Sequence, residues 1–446
     1  MAYHLHPVPS VSRRRFLGLA GVTLTASAAL AGSAWFRETR SIQAQSPSAT
    51  YLDAGDFGLV GDGETDDAPA LQAAIDAAAE RRMRLVIPPG AYAVASSVNA
   101  RTGSTISAYG VTLVTFIPDL GDPGTSFATV RIYDSNDVTI HGLEVEGRKD
   151  AFDHSQWKHG FGLNNSRNVW LYQCQAHRCK GDGVILENEN IGDVNVDVLV
   201  ESSNFGENYR MGGTASGALR ARFLNCAFYG TSGTLPMCGF DVEPDRPDVT
   251  CQDISFFHCD FSDNGTIGAD EGYGFNVSFQ PGATGPQSGV YLENCTMMRN
   301  GAAGVDLYRV PKGVELSNCQ VTDNAHEGII VYADATDIVI RGGNVQANGR
   351  HGIRCAVEPD APCENIVIDG VTIRDNGWAV STLSNGIHLE HDVDDVTVTN
   401  CAISGSTGYG LFVGETVTNL ETRDLDLANN LQGASYPVIG RDGRNG

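Results

Sequence analysis

The chain has 446 residues and a formal charge of -24 at pH 7, from 30 Lys and Arg against 54 Asp and Glu. Such a surface repels nucleic acid and anionic membranes and favours a neutral partner, and a polyanionic glycan would need a bridging cation. With 52 Gly, 11 Cys and only 17 Pro, the composition suits many short strands joined by tight turns better than packed helices.

Residues 1–34 read as an address and are set aside from the fold. Ser12-Arg13-Arg14-Arg15-Phe16-Leu17-Gly18 precedes a mild apolar stretch from Leu19 to Ala31 and small residues around Ala34. The pattern resembles a twin-arginine export signal, and the stretch is too short and too rich in Ala, Thr and Ser to span a bilayer. The mature protein is therefore expected in the periplasm or outside the cell. Setting aside five arginines and one glutamate of the first forty residues takes the formal charge to -28. Residues 35–52 form a linker.

The folded part is expected to run over residues 53–435, with a cap over 53–110 and a tail over 436–446. In the cap, Asp62-Gly63-Glu64-Thr65-Asp66-Asp67 leads into a helix from Ala70 to Ala79, with Thr65 or Asp66 as cap and Leu71, Ile75 and Ala78 on one face. The strand Leu85-Val86-Ile87 and the turn Pro88-Pro89-Gly90 follow. A helix laid across the first coil closes the open end of a repeat array.

Downstream of residue 160 one phrase, Gly–apolar–any–apolar, recurs at Gly160, Gly183, Gly239, Gly274, Gly304, Gly328, Gly352, Gly386 and Gly410, with a degenerate copy at Gly212. The intervals run from 23 to 35 residues, the length of a solenoid coil with insertions at its corners. A second strand type alternates with it, as in Val138-Thr139-Ile140 and Val396-Thr397-Val398, ending in turns such as Thr322-Asp323-Asn324. Each coil thus supplies at least two parallel strands. Cys174, Cys226, Cys259, Cys295, Cys319 and Cys401 share one repeat position and are expected to stack as an interior column. Cys238 with Cys251, and Cys355 with Cys363, are spaced so that either pair could bridge a loop.

The cap and the coil pattern, which together extend to about residue 430, resemble the pectate-lyase-like (rhamnogalacturonase/epimerase-like) right-handed parallel β-helix family. The resemblance implies an all-β, single-stranded right-handed parallel β-helix of about 10–12 coils with an N-terminal capping α-helix. It also implies enzymes that hydrolyse, eliminate or epimerise polysaccharides. The Asp-Asp, Gly-His-Gly and Arg-x-Lys elements of polygalacturonases are absent from the wall described next. Of the Tyr-Gly-x-Asp-Pro-His of alginate epimerases, Tyr273-Gly274-Phe275-Asn276-Val277-Ser278 keeps the opening and replaces the acid and the histidine.

Within the phrase the two apolar residues face inward, so the residue between them and the one after project outward together. Stacked coils then present Thr214/Ser216, Asp241/Glu243, Asn276/Ser278, Asp306/Tyr308, Ile330/Tyr332, Arg354/Ala356 and His388/Glu390 as a two-column ladder. Asp241 and Glu243, two apart on one strand, are expected with carboxylates about 6.5–7 Å apart, within the range of an inverting glycosidase pair. Asp306, two coils on, would keep one of them protonated or replace it. Asn276, Tyr308, Tyr332, Arg354, His388 and Glu390 are the expected sugar contacts. His154, His159, His177 and Asp182 lie near coil corners and read as turn and corner structure, with a metal or acid–base role as the alternative.

The sequence thus points to an exported glycoside hydrolase acting on a polysaccharide, with Asp241, Glu243 and Asp306 as catalytic groups. A uronate lyase or epimerase and a non-catalytic, tailspike-like glycan binder are the alternatives. No resident metal or other cofactor is expected, with calcium the one exception to keep in view. A homotrimer is compatible with such a rod.

Overall fold

In a computed structural model, the chain is described over residues 51–437 apart from 117–126, 152–155, 267–270, 281, 283, 311, 357–360 and 380–382. The segment expected to be an export signal, His154 and most of the tail lie outside these residues. Every strand pair in the ladders is parallel, and consecutive coils pair in register, as in Phe240↔Phe275, Asp241↔Asn276 and Val242↔Val277. Such long parallel stacks, with chain returns of one coil each, make a right-handed parallel β-helix. Among the described residues the glycine phrases build one 13-stranded wall that starts at Val98–Asn99 and ends at Gly433–Tyr436. The second strand type builds another wall, and short strands such as Thr296–Met298 and Gln320–Thr322 form a third face.

The recurring glycine has a steric cause. A Cβ on Gly239, Gly274, Gly328 or Gly352 would sit 2.4–2.6 Å from the carbonyl oxygen of the phrase glycine one coil on. Backbones approach so closely there that only hydrogen fits. Gly328→Ala, whose Cβ would meet Gly352 O at 2.6 Å and Val345 Cγ1 at 2.5 Å, is expected to cost about 1–3 kcal/mol by overpacking. Chemical denaturation measures it, and an unchanged midpoint contradicts the explanation.

The core is a set of stacked side chains. Phe223 lies on Phe256 at 4.8 Å and Phe228 on Phe261 at 5.4 Å, both pairs nearly coplanar. The six-cysteine column is buried as expected, and each residue before it (Gln173, Asn225, His258, Asn294, Asn318, Asn400) takes the left-handed conformation that makes the corner. The thiols are more than apolar filler, because Cys259 Sγ donates to Phe223 O and Cys295 Sγ to Phe256 O. Ser203 fills the same position one coil after Cys174, with its hydroxyl donating to Glu201 O. All eleven cysteines are free, so neither Cys238 with Cys251 nor Cys355 with Cys363 is bridged.

A second column, of asparagines, was visible in the sequence only as turn residues. Asn264, Asn300, Asn324, Asn348 and Asn376 are buried, and the side-chain amide of each of the first four donates to the Oδ1 one coil on, at 2.9–3.2 Å. The same Oδ1 also accepts the backbone N–H of the preceding coil's asparagine. The ladder thus satisfies the polar groups that a buried corner would otherwise orphan.

The capping helix spans Ala68–Arg81 and buries Leu71, Ala74, Ile75 and Ala78 against the first coils. Asp66 takes the Ala68 N–H, whereas Asp67 holds the preceding loop through Val60 N and Gly61 N. Thr65 is used by Asp62 instead of the helix. Among the described residues no helix is long and apolar enough to cross a membrane.

Candidate active site on the glycine-phrase wall

The outward column expected from parity is continuous in the register. It runs Thr214, Asp241, Asn276, Asp306, Ile330, Arg354, His388 and Phe412, one residue per coil. Its centre is more enclosed than an open ladder would be. Asp241 is 1% exposed, Asp306 4% and Asn276 6%.

The expected separation within the Asp241–Glu243 pair does not occur. The strand ends at Val242, so Glu243 leaves the pleat and its longer side chain turns back to hydrogen-bond Asp241. Asn276 Nδ2 donates to Asp241 Oδ1 at 2.7 Å. Burial, and then the charge of Glu243, hold the Asp241 carboxyl well above the ordinary range. Burial also raises Glu243, against the pull of Arg210. The deeper of two coupled carboxyls is the costlier to ionise, so the shared proton belongs with Asp241 Oδ2, a buried atom that otherwise has no partner.

Arg210 is the cation that the sequence reading missed. Its Nη1 meets Asp182 Oδ2 at 3.0 Å, its guanidinium lies 5.0 Å from the Trp157 ring, and its charge acts on both Asp241 and Glu243. Asp182 is fully buried and fixed in turn by Thr214 Oγ1 at 2.9 Å. Asp182 N donates to His159 Nδ1, and burial keeps that imidazole neutral. Asp182 and His159, read earlier as corner residues, thus set the arginine that faces the dyad. The missed signal was parity itself. Counting two back from the phrase glycine stays outward and gives Lys158, Arg210, His326 and Arg350 in four coils.

Asp306 accepts a hydrogen bond from the Tyr332 hydroxyl, and burial followed by the charges of Glu327 and Glu271 raises its carboxyl well above the ordinary range. Protonation therefore favours the folded state. The stability tied to this group is fully present below the unfolded carboxylate value and is lost as pH rises through the folded one. Asp306→Asn is expected to unfold a few degrees higher than the parent at pH 8, with the difference gone near pH 3. Thermal unfolding against pH checks this, and a variant less stable than the parent at pH 8 contradicts it.

Further along, Tyr308 and Tyr332 pack at 4.8 Å. Arg354 is spent on Glu390, at 2.9 and 2.7 Å, and lies 3.6 Å from Glu327. Arg354 and Glu390 therefore enter the wall as a joined pair rather than as separate groups. His388 packs on Phe412 with tilted rings at 4.6 Å, and burial presses its imidazole down to about 4. Among the described residues no group of three or more His, Cys, Asp or Glu is arranged to hold a metal ion.

Two family models match this chain. Residues 283–426 match the right handed beta helix region, and residues 51–115 match rhamnogalacturonase A/epimerase, pectate lyase-like. A 96-residue segment is 35% identical to mannuronan C5-epimerase AlgE3 of Azotobacter vinelandii, which is 21% of this chain and 5% of that protein. Among solved structures, the A-module of mannuronan C-5 epimerase AlgE4 from Azotobacter vinelandii superposes with a TM-score of 0.54 at 19% identity, over 86% of this chain and 97% of that one. The catalytic unit of a GH87 alpha-1,3-glucanase from Streptomyces thermodiastaticus gives 0.58 at 14%, over 85% and 69%. Pre-mature gene product 12 of bacteriophage phi29 gives 0.55 at 14%, over 85% and 53%. At these identities the solved structures share the fold.

Proposed function

We infer that this protein is a glycan-processing enzyme working by general acid–base catalysis where Asp241, Glu243 and Asp306 meet the outer wall. The observation that carries the reading is the hydrogen-bonded Asp241–Glu243 pair, closed from water at Asp241, partly open at Glu243 and faced by Arg210. Proteins of this fold include a polysaccharide hydrolase and polysaccharide epimerases, by their names.

In the hydrolytic reading, Glu243 is the base that activates water. Asp241 acts as a positioning residue, holding Glu243 through the shared proton. Asp306, kept protonated by burial and two neighbouring carboxylates, donates to the leaving oxygen. Asp306 lies two coils, roughly 10 Å of backbone rise, from the coil that carries Glu243, which leaves room between acid and base for the water that inversion requires. Activity then rises with pH through the Glu243 value and falls through the Asp306 value. Asn276, Tyr308 and Tyr332 contact the sugars beside the acids, and His388 with the Arg354–Glu390 pair contacts them further along.

Arg210 carries a second reading. Removing a proton beside a uronate carboxylate needs a positive group to neutralise it, and Arg210 stands against the base. The short match to a mannuronan C5-epimerase points the same way. Glu243 would then take the C5 proton.

A panel of neutral and uronate polysaccharides, incubated with the protein in D2O with calcium and with EDTA, separates the two. New reducing ends on a neutral polymer are expected. Deuterium at C5 or unsaturated ends would replace the first reading by the second. Binding without turnover of any polymer would make the protein a glycan binder. The reading places the mature enzyme outside the cytoplasmic membrane, which fractionation of the producing cells checks.

A further inference from the structure

Away from the dyad, an open cleft of about 990 Å³ lies at the N-terminal end of the same wall, with Asp76, Glu80, Arg101, Arg131, Tyr133 and Glu189 among its lining residues. Arg131 stands in the column that holds Asp241. The register runs Arg131, Gly162, Ile185, Thr214, Asp241, so four coil spacings, roughly 19 Å, separate the two.

Arg131 differs from the other guanidinium of the cleft. Arg101 is paired with Asp76 at 2.7 Å. Arg131 instead lies over the Tyr133 ring, 3.9 Å from its centroid, and its Nε is buried without a hydrogen-bond partner. Tyr133 then reaches two coils along the wall, its hydroxyl donating to Glu187. The charge of Glu187 acts on Asp245, which in turn feels Arg210.

The cleft offers a guanidinium held by its stack on the Tyr133 ring and several carboxylate acceptors. Hydroxyl-bearing rings suit that combination, with carboxylates accepting from vicinal hydroxyls and the guanidinium donating to a ring or hydroxyl oxygen. Carboxylates outnumber cations here, so a uronate unit would be repelled.

We propose that this cleft is a second sugar-binding site, which holds a neutral pyranose unit of the glycan about four coils from Glu243 and uses Arg131 as its donor. The proposal rests on the reading of the wall as a glycan-processing surface. It makes the enzyme one that grips a long chain well away from the reacting bond.

Calorimetric titration of Glu243→Gln protein tests it. The neutral probes are octasaccharides of glucose, mannose, galactose and N-acetylglucosamine, and the anionic probe is a mannuronan octasaccharide. The titrations are repeated with Arg131→Ala or Arg131→Lys added. One neutral probe should bind, and Arg131→Ala should weaken it about tenfold. Arg131→Lys should recover only part of the loss, because an ammonium neither stacks nor forks as a guanidinium does. Thermal unfolding of each variant shows that the fold is kept, and the lysine variant carries the test should the alanine variant unfold. Unchanged affinity in a folded Arg131 variant, or mannuronan binding as tightly as the neutral probe, overturns the proposal. If the wild type turns over a polymer while the Arg131 variants bind unchanged, only the cleft assignment falls. If no probe binds and no polymer is turned over, the reading of the wall falls with it.

Discussion

Glu243→Gln lowers turnover by a factor of about 10²–10⁴ while leaving substrate affinity nearly unchanged, the loss expected when a positioned proton acceptor is removed. Asp241→Asn behaves differently. An asparagine amide copies a protonated aspartic acid, so it can still donate to Glu243 and still accept from Asn276 Nδ2, the bond seen at 2.7 Å. That variant should fold, keep most of its turnover and shift its pH profile, whereas Asp241→Ala should lose both. Initial rates against pH on the substrate found in the polymer panel measure all three. Equal losses in Asp241→Asn and Glu243→Gln would mean that Asp241 itself exchanges the proton, and the division of roles drawn here would be wrong.

The second large effect is on stability. In the buried asparagine column, Asn324 Oδ1 accepts from Asn300 N and Nδ2, and Asn324 Nδ2 donates to Asn348 Oδ1 and Met297 O. Asn324→Ala removes all four hydrogen bonds and leaves their partners with no water to turn to. With each orphaned buried group worth about 1–3 kcal/mol, and some relaxation of the corner, the cost should be on the order of 3–5 kcal/mol. Denaturant titration at constant slope gives the number. A loss below about 1 kcal/mol would show that the column is decoration on a corner held by other forces.

The wall was legible in the sequence because its cause is local and repeats. Gly328 recurs as Gly352 and Gly386 for one steric reason, and the parity of Val305-Asp306-Leu307 is fixed by the pleat. The asparagine ladder is also periodic, yet Asn324 and Asn376 look like any turn residue until coils are stacked and the amides meet. What the sequence hid was depth and distance. Asp241 and Asp306 project outward as parity requires, but groups from other coils and corners act on them, Arg210 on the first and Glu327 and Glu271 on the second, and corner lengths vary without a period. The separation within the Asp241–Glu243 pair failed for a related reason. It assumed a pleat that continues past Val242, and the strand stops there. Arg210 sits before the degenerate Gly212 phrase, so the pattern that found its neighbours passed over it.

The most direct test is the structure of Glu243→Gln protein with an oligosaccharide from the productive polymer. The account predicts a sugar chain along the glycine-phrase wall, one unit within hydrogen-bonding distance of residue 243 and Asp306. A chain bound on another face, or crossing this wall without touching either residue, would contradict it.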